Sequence, residues 1–172
     1  MASTHKVACL LGNGFEDSEF RIPFDRLRQA GLDVEVIGFT AARTVTGKNG
    51  LERVEIEKAI DQVSPGDYAA LLIPGGHSPD LLRGDPRFVD FVKAFDATGR
   101  PIAAVCHGPQ LLLAAGLVKG RKLTAWPTVQ RDLELAGAVV RDEPVVVDRN
   151  WITSRRPDDL EQFSEAIVKT LR

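Results

Sequence analysis

The chain has 172 residues, 44% hydrophobic and 27% charged, with a formal net charge of −2. That length supports one domain with a substantial core, and the charge balance gives no electrostatic case for binding nucleic acid or a membrane surface. Two cysteines, Cys9 and Cys106, make no disulfide framework, and no apolar run reaches the length of a membrane span.

No long apolar segment follows residues 1–6, so no secretory signal is visible and a reducing cytoplasm is expected, where a thiolate stays available. Lys6 to Leu11 is apolar throughout, as a central parallel strand should be, and Cys9 inside it reads as core. Gly12-Asn13-Gly14 breaks that strand. It is no dinucleotide fingerprint: Asp17 stands in place of the third glycine, and Glu16, Asp17 and Glu19 would repel a pyrophosphate.

A helix is predicted from Phe15 to Ala30, ended by Gly31. Asp17 and Glu19 read as complements of its dipole. Glu16 stands at the carboxyl end of the preceding strand, where open α/β sheets place ligands, so a structural and a functional role are both open to it. Asp33 to Phe39 reads as a second strand, and Thr44 to Leu51 as a hairpin with glycines in its turn. A connector follows to Asp67. Tyr68 to Ile73 is a buried strand running into Pro74-Gly75-Gly76-His77, whose glycines could turn an N–H toward a developing negative charge or simply form a turn. Pro79 to Arg83 suggests a short helix, and Asp85-Pro86 opens a longer one through Phe95.

Pro101 to Val105 is another buried strand, and Gln110 to Ala115 a helix stopped by Gly116. Between them lies Cys106-His107-Gly108-Pro109, with Ala104 two residues before the cysteine and Gly108 two after. This is the spacing of a nucleophile elbow with Cys as the nucleophile, since larger side chains at the flanking positions would strike backbone. At a helix N-terminus the thiol is expected to ionise more readily than its ordinary value near 8.5 allows, which would arm it at neutral pH. Position alone leaves open an inert core cysteine; the adjoining imidazole and glycine favour function.

Further on, Arg121 to Ala125, Val139-Val140, Val145 to Val147 and Trp151 to Ser154 read as short strands, Pro127 to Ala136 as a helix, and a terminal helix starts near Pro157. Alternating strands and helices predict an α/β doubly wound parallel sheet, residues 1–172 forming one domain. The ends of three strands, at Gly12 to Glu16, Pro74 to His77 and Cys106, then converge on one edge. The three histidines, His5, His77 and His107, have no zinc-ligand spacing, and no metal or organic cofactor is implied.

Six segments resemble the PfpI-type intracellular proteases of the class I glutamine-amidotransferase-like superfamily: Gly14 to Glu19, Thr46-Gly47-Lys48, Ile73 to Gly76, Cys106 to Pro109, Gly120 to Lys122, and Asp148 to Arg155. The resemblance implies a flavodoxin-like sandwich with Cys106 as nucleophile, His107 as base and Glu16 under the sulfur. It implies an oxyanion hole from the N–H groups of Gly76 and His107. It also implies that Asp80, where relatives often carry Glu, completes the site of a neighbouring subunit in a dimer or hexamer. His77 replaces an arginine of the archetype, and Trp126 stands where tyrosine is usual, so both bear on substrate preference. The reactions implied are peptide hydrolysis, deglycation of dicarbonyl adducts and conversion of methylglyoxal to lactate. A pocket between subunits suits a small aldehyde better than a folded protein. The alternative is a redox sensor or chaperone in which Cys106 is oxidised. A glutaminase subunit is weakened, since that chemistry draws its histidine from late in the chain.

Overall fold

The computed structural model describes residues 5–172, so the reading of residues 1–4 as free of a secretory signal falls outside the described part. In chain order the elements are β1 (Lys6–Leu10), α1 (Asp17–Gln29), β2 (Asp33–Gly38), β3 (Thr44–Thr46), β4 (Arg53–Glu55) and β5 (Lys58–Ala59). Then follow β6 (Ala70–Ile73), α2 (Ser78–Leu82), α3 (Pro86–Ala97), β7 (Ile102–Val105), α4 (Pro109–Ala114) and β8 (Lys122–Leu123). The chain closes with α5 (Pro127–Leu135), β9 (Val139–Val140), β10 (Val145–Asp148), β11 (Trp151–Ser154) and α6 (Leu160–Leu171).

The main sheet has the order β10-β11-β7-β6-β1-β2-β5. Its pairings are parallel except for the edge, where β10 runs antiparallel to β11. The expected all-parallel sheet is therefore corrected at one edge. Arg149 and Asn150 make the two-residue turn, with Arg149 at φ +53°, which lets the chain double back without a crossover helix. The fold is α/β and flavodoxin-like, as expected.

Alternation along the strands divides the core. Ala8, Leu10, Leu71, Ile73 and Ala104 face one side with Phe88, Phe91 and Phe95 of α3. Val7, Cys9, Leu72 and Val105 face the other with Phe20 of α1 and Phe163 of α6. Cys9 is fully buried, as read from the sequence, and burial pushes its thiol well up from the usual range. The chain leaves β1 outward to β2 and returns to β6 on the other side of β1. That reversal opens a crevice at the carboxyl ends of β1, β6 and β7, the place where sheets of this kind bind ligands. Among the described residues no helix is long and apolar enough to cross a membrane.

Candidate active site

Cys106 follows β7 directly and sits at φ +63°, a left-handed conformation that a non-glycine residue rarely adopts. Three bonds hold it there. Its N–H donates to the Ser154 carbonyl at 3.0 Å, its carbonyl accepts from the Trp126 N–H at 2.9 Å, and the Gly108 N–H donates to the Val105 carbonyl at 2.8 Å. Gly108 is required by space: a Cβ there would stand 2.4 Å from the Ile73 carbonyl oxygen, which is backbone and cannot yield. The elbow read from the sequence is therefore present. Its sulfur lies 3.3 Å from His107 Nδ1.

The Pro74-Gly75-Gly76-His77 turn lies against it. Gly76 has φ +75°, and a Cβ would approach the Glu16 nitrogen to 2.4 Å and the Gly14 carbonyl oxygen to 2.5 Å. A bridge between Phe15 and Gly76 and the His77 N–H bond to the Gly14 carbonyl, 2.8 Å, tie this turn to the loop after β1. Gly76→Ala is expected to cost about 2 kcal/mol, because it adds positive-φ strain to a clash with backbone. Urea unfolding compared with the wild type measures it.

The carboxyl beneath the sulfur is Glu19, which corrects the placement of Glu16 there. Glu16 caps α1: its Oε2 accepts from the N–H groups of Ser18 and Glu19 at 2.9 and 3.2 Å and from the Ser18 hydroxyl. Its Oε1 accepts from Asn49 Nδ2 at 3.0 Å. A cap side chain folds back over its own first turn, whereas Glu19, two residues inside the helix start, points under the sheet edge. Glu19 is fully buried. Its Oε1 accepts from the Gly75 N–H at 3.0 Å, and its Oε2 has no partner among the described residues. Gly75 permits this approach, since a Cβ would lie 2.5 Å from Oε1 and 2.9 Å from the His107 nitrogen. Asp17 is also more than a dipole complement: its carboxylate accepts from the N–H groups of Asn49, Leu51 and Glu52 at 2.8 to 2.9 Å.

The electrostatics follow from this packing. Burial, then the Glu16 charge, pushes the Glu19 carboxyl up to about 8, against the pull of Cys106 and the Gly75 N–H. Burial, then Glu19, pushes the Cys106 thiol up, opposed by the N–H groups of His107 and Gly76. The sequence reading, which weighed only the helix end, expected the opposite direction. Two acids in contact hold a proton between them. With that proton on Glu19, the repulsion on the sulfur disappears and the carboxyl can donate to a thiolate. His107 is shifted down, by burial first and then by Lys48, His77 and Arg83, with Asp80 opposing. A neutral imidazole beside the thiol is thereby favoured.

The crevice is a cavity of about 250 Å³ lined by Glu16, Glu19, Lys48, Cys106, His107 and Trp126, among others. Three other clefts, of about 270 to 320 Å³, hold no cysteine. Cys106 is 5% exposed, and the Trp126 ring stacks on His107 with centroids 6.1 Å apart. His77 precedes α2 and its charge reaches His107, but it is not among the residues lining this cavity. Asp80 lies on α2, largely exposed, its carboxylate bonded to Arg83 at 2.6 and 2.8 Å. Among the described residues no group of three or more His, Cys, Asp or Glu could hold a metal ion.

A cysteine carried in strained backbone where a parallel strand turns into a helix defines a class, the α/β proteins of the nucleophile-elbow kind. Within it, the sequence pattern of the DJ-1/PfpI family matches residues 5–170, and the chain belongs to that family. It is 50% identical over 167 residues to protein/nucleic acid deglycase 2 of Escherichia coli, covering 96% of this chain and 97% of that one. It is 51% identical over 171 residues to an uncharacterized protein of Staphylococcus aureus, covering 98% of this chain and 99% of that one. A two-domain protein of Anabaena variabilis, with DJ-1/ThiJ/PfpI-like and ferritin-like domains, superimposes with a TM-score of 0.95 at 40% identity. The match covers 96% of this chain and 48% of that longer one.

Proposed function

We propose that the protein is a cytoplasmic cysteine enzyme acting on small dicarbonyls and their adducts, a deglycase or glyoxalase III-type activity. The observation that carries the reading is the 3.3 Å contact between Cys106 Sγ and His107 Nδ1 at the mouth of a small cavity. The similarity to a relative named as a deglycase supports it. Both thiols of the chain are free, which suits a reducing compartment.

Cys106 as thiolate adds to the aldehyde carbon of methylglyoxal, and the new alkoxide lies toward the N–H groups of Gly76 and His107. His107 moves the proton from that carbon to the neighbouring carbonyl carbon by way of an enediol, leaving a lactoyl thioester. Water releases lactate and returns the thiolate, so methylglyoxal and one water give lactate without an external oxidant. In an adduct on a thiol or amine the aldehyde carbon is a carbinol: the carrier leaves with the carbinol's hydroxyl proton, relayed by His107, and the aldehyde so restored enters the same sequence. Peptide hydrolysis uses the same thiolate on a less reactive carbonyl, and the small cavity favours the aldehyde. The name of the E. coli relative includes nucleic acid; a net charge of −2 gives no electrostatic case for a polyanion here.

Asp80 completes the site of a neighbouring copy in a dimer or hexamer. It orients the His107 ring through Nε2, the nitrogen facing away from the sulfur. Asp80→Asn is expected to lower methylglyoxal turnover about 10–100-fold, and dilution to monomer should do the same. Lactate formation, followed with sedimentation on the same samples, checks both. Wild-type protein that forms no lactate, releases no carrier from adducts and cleaves no peptide would overturn the reading. A redox-sensing role is the second reading, favoured by the buried Glu19 carboxyl that acts on the Cys106 thiol. Selective oxidation of Cys106 by mild peroxide, without turnover, would establish it in place of the first.

A further inference from the structure

The Thr46-Gly47-Lys48 motif supplies no reacting group in the chemistry above, yet its lysine lines the cavity that holds Cys106 and His107. The loop that carries it is built onto the first turn of α1. The Lys48 N–H donates to the Phe15 carbonyl at 2.8 Å, and the Gly47 and Gly50 N–H groups donate to the Glu52 and Gly47 carbonyls, each at 2.9 Å. The buried Asp17 carboxylate accepts three further loop N–H groups, and Asn49 Nδ2 reaches Glu16. Gly47 packs so tightly that a Cβ would lie 2.1 Å from Asp17 Oδ2. Arg21 fixes the far end of the loop through both oxygens of Glu52, at 2.9 and 3.1 Å.

A loop held at so many points presents its lysine at a set place. Among the described residues no carboxylate pairs with the Lys48 ammonium, although two carboxyls line the same cavity. Glu16 is engaged by its own helix turn and by Asn49, and Glu19 is sealed beneath the sulfur. Lys48 is the one cation among the residues lining the cavity, and its field is felt at both His107 and Glu19. A cation left unpaired at the edge of a reaction chamber offers a charge-assisted bond to an anionic group on the substrate.

We propose that Lys48 is a specificity residue that selects dicarbonyl adducts bearing an anionic group, carboxylate or phosphate, close to the reacting carbonyl. This rests on the enzymatic reading above for its substrates, but the anion preference of the site can be measured without turnover. Iodoacetate and iodoacetamide alkylate the same thiol and differ in charge, and the fully buried Cys9 leaves Cys106 as the reporter. In Lys48→Met the ratio of iodoacetate to iodoacetamide rates at Cys106 is expected to fall about fivefold, and raised salt should lower it in the wild type only. Two matched pairs then identify the anion: methylglyoxal adducts of N-acetylcysteine and its amide for carboxylate, and of 2-mercaptoethyl phosphate and 2-mercaptoethanol for phosphate. The wild type should prefer the charged member of at least one pair by about tenfold in KM, and Lys48→Met should abolish that preference. An alkylation ratio unchanged in Lys48→Met, or turnover without charge preference, overturns this proposal alone. A changed ratio with no turnover of any adduct overturns the enzymatic reading and the substrate assignment with it.

Discussion

Cys106→Ser is expected to reduce methylglyoxal turnover by three orders of magnitude or more while leaving the fold intact. The size follows from what the sulfur supplies. Even a thiol pushed up by burial forms far more nucleophile than a serine hydroxyl, and no second thiol lines the cavity. Serine is close to the same size, so the bonds from Ser154 and Trp126 that hold residue 106 at φ +63° can persist. Unfolding by urea should therefore shift little, and the variant separates chemistry from stability. Alkylation is the companion measurement: the wild type takes one label under native conditions, and Cys106→Ser takes none because Cys9 is fully buried with its thiol pushed up. Lactate formed by the serine variant at a rate near the wild type would exclude Cys106 as the nucleophile.

The elbow was legible because its requirement is local. Ala104 and Gly108 stand two residues from Cys106 on either side, and the Gly108 contact with the Ile73 carbonyl is the steric reason for that spacing. The buried strands were legible for a similar reason, since short apolar runs between turn residues have few other uses. Direction is less local. Val145 to Val147 reads as a strand in either sense, and the Arg149-Asn150 turn lacks the glycine that usually marks a two-residue reversal, so the antiparallel edge was hidden. The acidic cluster was harder still. Glu16, Asp17 and Glu19 occupy one helical turn and have three fates: a cap, a clamp on the loop from Gly47 to Glu52, and a carboxyl under the sulfur. Which is which depends on where the helix begins. The resemblance put Glu16 under the sulfur and the residues alone left its role open; the helix begins at Asp17, which makes Glu16 its cap and turns Glu19 toward Cys106. The thiol was misjudged with it, because the helix end is visible in sequence and the buried acid opposite is not.

Glu19→Gln should remove the loss of stability that the Glu19 carboxyl imposes on the wild type as pH rises. In the unfolded chain Glu19 titrates near 4.3, and in the folded protein burial holds it up to about 8. Between those values the folded state binds one proton more than the unfolded state. Stability contributed at this site is therefore fully present below the lower value and declines as pH rises toward the upper one. Over that window the loss is on the order of 3–5 kcal/mol, with a slope of at most about 1.4 kcal/mol per pH unit. Glutamine keeps the shape and the acceptor for the Gly75 N–H, and its amide can donate to the sulfur where a protonated carboxyl would. It has no charge to bury, so the difference between variant and wild type in urea unfolding should be small at pH 5 and grow in favour of glutamine by pH 8. Taking the difference removes the titrations common to both proteins. The same change bears on the nucleophile: if a proton on Glu19 supports the thiolate, glutamine should retain Cys106 alkylation at neutral pH, whereas Glu19→Ala should slow it by removing the donor. Stability curves that run parallel from pH 5 to 8 would mean that Glu19 is ionised in the folded protein, and the proton shared with Cys106 would have to be abandoned.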